Sequence, residues 1–191
     1  YVSREWIPGE VTSSGYPYVT KRLKRGQSLD QAVEVFRGKS DDVSAGRDVL
    51  RDIDGKYVID MATRSPSFFE TITTFFTANG PVTLPLPLTS EFDAYHKGQA
   101  VYLLKEDWTS ARGTVFKSGA LIAFDLKKAL ADPKVIEPVV VFQPSEHQSI
   151  DGVSQTRHRL ILSVLSNVTG EVLSYEFDGK SWSSQTLALP A

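Results

Sequence analysis

The chain has 191 residues, 41% of them hydrophobic and 23% charged, which supplies a buried core and is too apolar for a disordered segment. Its 21 Lys plus Arg against 23 Asp plus Glu give a net charge of -2, without the basic field that nucleic-acid or anionic-membrane surfaces need. Cysteine is absent, which removes disulfide scaffolds, catalytic thiols and cysteine-rich zinc sites.

The chain opens at Tyr1 rather than Met and contains one Met, Met61. We expect it to be a piece of a longer protein, with any signal peptide upstream of Tyr1. From there the sequence reads as short strands. Before Asp41 there is room for a partial unit whose last two strands are Tyr18–Arg25 and Ala32–Arg37. Val49–Asp52 and Lys56–Arg64 then flank Asp54-Gly55, a hairpin signal. Thr71–Ala78 follows, and Asn79-Gly80 turns the chain into Val82–Leu86. The order restarts with Phe92–Tyr95 and Ala100–Glu106 across Lys97-Gly98, then Ala120–Leu126 and Val135–Phe142. The third set is Gly152–Thr156, Leu160–Leu165, Glu171–Phe177 and Ser184–Leu189, with turns at Asn167–Gly170 and Asp178-Gly179. The one expected helix is Leu126–Ala131, stopped by Asp132-Pro133.

Units of about 45–55 residues with four strands each have the size of a propeller blade. We therefore expect an all-β chain: a partial β-propeller of about three and a half four-stranded antiparallel blades, divided as 1–40 (partial), 41–90, 91–145 and 146–191. A β-sandwich also gives evenly spaced strands, but does not explain apolar runs arriving in fours with similar turns. The second strand of each unit is strongly apolar (Tyr57-Val58-Ile59, Val101-Tyr102-Leu103-Leu104, Leu160-Ile161-Leu162), which predicts burial on both faces. Along Tyr18–Arg25, Val19 and Leu23 should face away from Arg22 and Lys24.

A set of short motifs in fixed order carries a family resemblance. Ser14-Gly15-Tyr16-Pro17, Lys24-Arg25-Gly26 and Val35-Phe36-Arg37-Gly38 come first. Phe68-Phe69-Glu70, Asp107-Trp108-Thr109, Gly119-Ala120-Leu121 with Asp125, and Asp151-Gly152-Val153 follow. Together they resemble the propeller domain of the prolyl oligopeptidases, especially the bacterial ones. The resemblance implies a seven-bladed propeller capping an α/β-hydrolase domain with a Ser-Asp-His triad, of which this chain is roughly half the propeller. That family's nucleophile sits in a Gly-x-Ser-x-Gly elbow, and no such motif occurs here. No triad residue can be carried over, and no catalytic, cofactor-binding or metal residue is assigned.

The remaining candidates have plainer readings. His96, His147 and His158 lack metal-ligand spacing and read as solvated or hydrogen-bonded turn residues. Asp41-Asp42 and Glu146 could be imagined as an acid–base pair, but read as solvated loop charges. Asp178-Gly179-Lys180-Ser181-Trp182 superficially resembles the Asp-box turn of sialidase propellers, which places a residue between Asp and Gly; a type I′ hairpin with a packing Trp fits better. Lys21, Arg22, Lys24 and Arg25 read as a charge-protected outer edge strand. Asn167-Val168-Thr169 matches a glycosylation sequon, which matters only on a eukaryotic secretory route. Trp6, Trp108, Tyr16 and Tyr95 read as core or inter-blade packing rather than a ligand site.

The function that the resemblance implies is the substrate-gating part of a peptidase that hydrolyses short peptides after proline, the chain itself being expected to be inactive and without cofactor. Its expected partners are the parent's hydrolase domain, the parent's short peptide substrates and, through blade faces left open, a second copy of itself. Neither nucleic acid nor membrane is expected, and the compartment favoured is bacterial cytoplasm or periplasm. The rival reading is a non-catalytic propeller scaffold for protein interaction.

Overall fold

The computed structural model describes residues 1–188, whose regular structure is almost all antiparallel strand. Sheet I joins β1 (Val2–Ser3), β2 (Val19–Arg22) and β3 (Val33–Arg37). Sheet II is β4 (Ser44–Arg51), β5 (Tyr57–Ser65), β6 (Ile72–Thr77) and β7 (Gly80–Thr83). Sheet III holds β8 (Glu91–His96), β9 (Gln99–Leu103), β12 (Leu121–Asp125) and β13 (Val139–Phe142); a ribbon of β10 (Trp108–Thr109) and β11 (Val115–Phe116) interrupts it. Sheet IV is β14 (Gln148–Gln155), β15 (Arg159–Ser166), β16 (Thr169–Phe177) and β17 (Trp182–Thr186). Leu189, the end of the last expected strand, lies outside the described residues.

In each four-stranded sheet the strands pair in the order in which they follow along the chain, with the β10–β11 ribbon inserted between β9 and β12, the meander of a propeller blade. The helix forms where expected: α1 spans Leu126–Ala131, and the Asp125 carboxylate accepts the Lys128 N–H at its first turn. Asp132-Pro133 then ends it. The β10–β11 ribbon was not expected, nor was β1; two-residue strands leave no periodicity to read.

The chain divides into two compact units: Tyr1–Leu50 with Tyr57–Leu84, and Arg51–Lys56 with the chain from Pro85 onward. In the first unit, Gly38 lets the chain leaving sheet I pass so close to β4 that an added Cβ would overlap Ala45. The Arg47 N–H donates to Thr20 Oγ1 at 3.2 Å, and its guanidinium to the Val35 carbonyl at 3.0 Å and Asp60 at 3.1 Å. That guanidinium also stacks 3.8 Å from the Phe76 ring centre, a cation–π contact.

In the second unit an apolar core joins sheets III and IV. Val101, Leu103, Leu121, Ala123 and Val141 come from one sheet; Leu160, Leu162, Val164 and Tyr175 come from the other. On the opposite face of sheet III, Tyr102 stacks on Phe124 at 5.6 Å and meets Phe92 at 5.1 Å. Burial on both faces therefore holds for β9, every residue of which is buried. It does not hold for β5, which carries Asp60 and Arg64 in ion pairs and is mostly half-buried. Nor does it hold for β15, where Leu160, Leu162 and Val164 are buried while Ser163 and Leu165 are exposed.

Two further expectations are corrected. The basic segment is not an edge: β2 lies between β1 and β3. The expected alternation is kept at the residues named for it, Val19 being buried and Leu23 half-buried while Arg22 and Lys24 are exposed, although Thr20 is buried too. Asp178-Gly179 is not a type I′ turn, because φ is positive at Gly179 but not at Lys180, the sign pattern of type II′. Type I′ signs occur instead at Lys97-Gly98, joining β8 to β9, and at Asn167-Val168, joining β15 to β16.

Candidate functional site

Where sheets III and IV end near Leu103 and Ile150, a groove of about 440 Å³ opens. Lys105, Ser118, Ser145, Glu146 and Ser149 line its polar side. Glu91, at the start of β8, holds the Lys105 ammonium at 2.9 Å. Two residues on, Asp93 occupies a bulge between the paired residues Phe92 and Ala94. Burial first, and the nearby Glu91 carboxylate second, push the Asp93 carboxyl up to about 6. The hydroxyls, the paired lysine and the Glu146 carboxylate that line the groove can hydrogen-bond a polar segment. In the first unit a second groove, of about 240 Å³, is lined by Gly46, Arg47, Asp48, Met61 and Thr63.

The candidates from sequence fall in separate places. Asp42 is not a solvated loop charge: it is 1% exposed, and Arg64 donates to both its carboxylate oxygens at 2.8 and 2.7 Å. The Lys39 N–H adds a third bond at 2.8 Å. Those Arg64 bonds hold the Asp42 carboxyl below its usual value, and both its oxygens are held in structural hydrogen bonds. Asp41 and Glu146 are exposed, the latter on the groove rim.

His147 and His158 are exposed, as turn residues. His96 is not: it is 1% exposed, its ring 5.9 Å from that of Trp182. Burial, and then the Lys97 cation, lower its pKa. Trp182 also packs on Phe177 at 5.0 Å, so a packing Trp does follow the turn held by Asp178. Among the described residues no group of three His, Cys, Asp or Glu could hold a metal ion.

Trp6 donates its indole N–H to the Val19 carbonyl at 3.1 Å, with the Lys21 ammonium 4.5 Å above its ring. Trp108 stacks on Phe116 at 5.4 Å within the ribbon. Tyr95 is half-buried in β8, while Tyr16 is exposed. The sequon sits on the β15–β16 turn. Phe68 and Phe69, 82% and 85% exposed, stand at the β5–β6 loop, where a Ser67–Glu70 hydrogen bond of 3.0 Å fixes the turn. Sequence reasoning passed over Asp93 and the burial of His96. A carboxylate inside an otherwise apolar strand was the available signal for the first; for the second there was none.

The model of the prolyl oligopeptidase N-terminal β-propeller domain family matches residues 1–191. An uncharacterized peptidase, y4nA, of Sinorhizobium fredii is 63% identical over the whole chain, which spans 27% of that protein. A second uncharacterized peptidase, RP174 of Rickettsia prowazekii, is 22% identical over 93% of this chain and 25% of its own length. The chain thus spans about a quarter of the relatives it matches. A solved post-proline cleaving enzyme from Rickettsia typhi superposes on 97% of the chain with a TM-score of 0.86 at 20% identity, using 28% of its own chain. Sheets II, III and IV are blades and sheet I is part of one, and the chain belongs to the prolyl oligopeptidase N-terminal β-propeller family.

Proposed function

We propose that this chain is part of the substrate-gating domain of a prolyl oligopeptidase-like serine peptidase. In this reading the parent hydrolyses short peptides after proline, through an acyl-enzyme on a serine in an α/β-hydrolase domain outside these residues. The propeller shields the reaction from water and from large folded substrates. The 191 residues alone have no peptidase activity, and are a fragment of one propeller domain, divided as a partial blade 1–40 and blades 41–90, 91–145 and 146–191. The observation that carries the reading is the family match over residues 1–191. The peptidase names of the relatives and the likeness to a post-proline cleaving enzyme support it.

Gating is tested in the parent enzyme with two substrates sharing one proline-containing cleavage sequence, a short peptide and a long polypeptide. The parent should turn over the short one preferentially. A Leu162→Ala parent, with its sheet III–IV core weakened, should gain on the long one. Equal turnover of both by the unaltered parent removes the gate and leaves the peptidase assignment standing.

A further inference from the structure

The seam between sheets III and IV is apolar along most of its length, yet one end is closed by polar groups. There β8 ends at His96, and the β8–β9 turn presents Lys97, whose ammonium donates to the Phe177 carbonyl at 2.9 Å. Sheet IV supplies Gln155 at the end of β14, His158 in the β14–β15 turn, and Trp182 at the start of β17. Both ring nitrogens of His96, the Gln155 side-chain oxygen and the Trp182 indole nitrogen are buried without a hydrogen-bond partner among the described residues. The Gln155 amide and the His158 main chain approach the imidazole, short of hydrogen-bond geometry. The charged or titratable groups facing the ring are Lys97 from its own turn and His158 from sheet IV. The charges of both oppose a second positive charge, the Gln155 side chain and the His158 main chain favour one but are outweighed by burial and Lys97, and no carboxylate is among its electrostatic partners.

We propose that His96 is an acid-sensitive latch on this seam: as a neutral ring it closes against Trp182, and as an imidazolium it forces this end of the two sheets apart. A buried cation facing another cation must be rehydrated. Separation of the His96–Trp182 contact is the movement that admits water. Burial and Lys97 set the direction: the neutral ring is favoured in the folded chain, so protonation falls below the usual histidine value of 6.5. The stability that comes from neutral His96 is present above that value and is lost as the pH falls through the folded one. The opposite end of the seam, at Leu103 and Ile150, should not respond. This inference does not depend on the peptidase reading, and its test needs no substrate.

The test is hydrogen exchange of the full chain, corrected for the intrinsic pH dependence of exchange, together with the imidazole resonances of its three histidines. The resonances are assigned with His147→Gln and His158→Gln. Acidification should raise corrected exchange in segments 96–99 and 177–182 at least several-fold, with the same midpoint as the His96 resonance and below pH 6.5. Segments 101–103 and 121–123 should stay protected. His96→Phe should abolish the response. If that variant does not fold, the unaltered chain still decides the matter. A His96 resonance titrating at or above 6.5, or one titrating without any change in exchange at 177–182, would overturn the latch.

Discussion

Sheets II and III share one strand order and are held by different forces. In sheet III, β9 is buried throughout and packs apolar side chains on both faces. In sheet II, β5 carries Asp60 and Arg64 instead, and side-chain charge does much of the fixing: Arg47 to Asp60, Arg64 to Asp42. The blade is thus a backbone pattern that tolerates either solution. Area burial favours the first, at about 1.5–3 kcal/mol per large apolar side chain. The second depends on every partner being present, because a buried charge left alone costs far more than the pair contributes.

That contrast can be broken from the apolar side first. Leu162→Ala removes a fully buried side chain from the core joining sheets III and IV, and should cost about 2–5 kcal/mol in chemical denaturation. The same truncation at half-buried Ile59 in β5 should cost less, about 1–2 kcal/mol. Similar losses at the two positions would erase the distinction.

Next comes the charged side. Arg64→Ala strands the Asp42 carboxylate and should cost about 2–4 kcal/mol at neutral pH. Because Arg64 holds the Asp42 pKa below its unfolded value, this stability is present above about pH 4 and is lost as the pH falls through the folded value. The variant's stability should accordingly converge on that of the unaltered chain in acid.

Asp93→Asn should act in the opposite sense. Burial raises this carboxyl to about 6, so the folded chain favours its protonated form and loses stability as the pH rises from about 4 to 6. With discount for its partial exposure, the amide should stabilise the chain by about 1 kcal/mol at pH 7, and by nothing near pH 4. The smallest effect is at Val168, a β-branched residue held at φ 67 in the β15–β16 turn and 94% exposed. Val168→Gly should raise stability by about 0.5–1 kcal/mol by relieving left-handed strain, net of the flexibility glycine adds when unfolded.

The strands were legible because the turns are: Asn79-Gly80, Lys97-Gly98 and Asp178-Gly179 punctuate apolar runs, and Asp125 with Asp132-Pro133 brackets the one helix. Turn type was less so, since adjacent Asp and Gly do not say which residues occupy the two central positions. Burial was least legible. Arg64 lies 22 residues from Asp42, and His96 is buried by Trp182, contributed by a strand of another sheet. Such partners are assigned by the packing of sheets and leave no local spacing. The family motifs proved largely structural: Gly38 permits a close approach and Asp125 caps α1. They report the scaffold more than the chemistry.

The account as a whole turns on where catalysis resides. Purified full-length parent and the 191-residue chain, assayed side by side on a proline-containing chromogenic peptide, test it most directly. The parent should release the chromophore and the chain should match the buffer blank, with no gain on raising its concentration. Turnover by the chain alone, proportional to its concentration, would contradict the account.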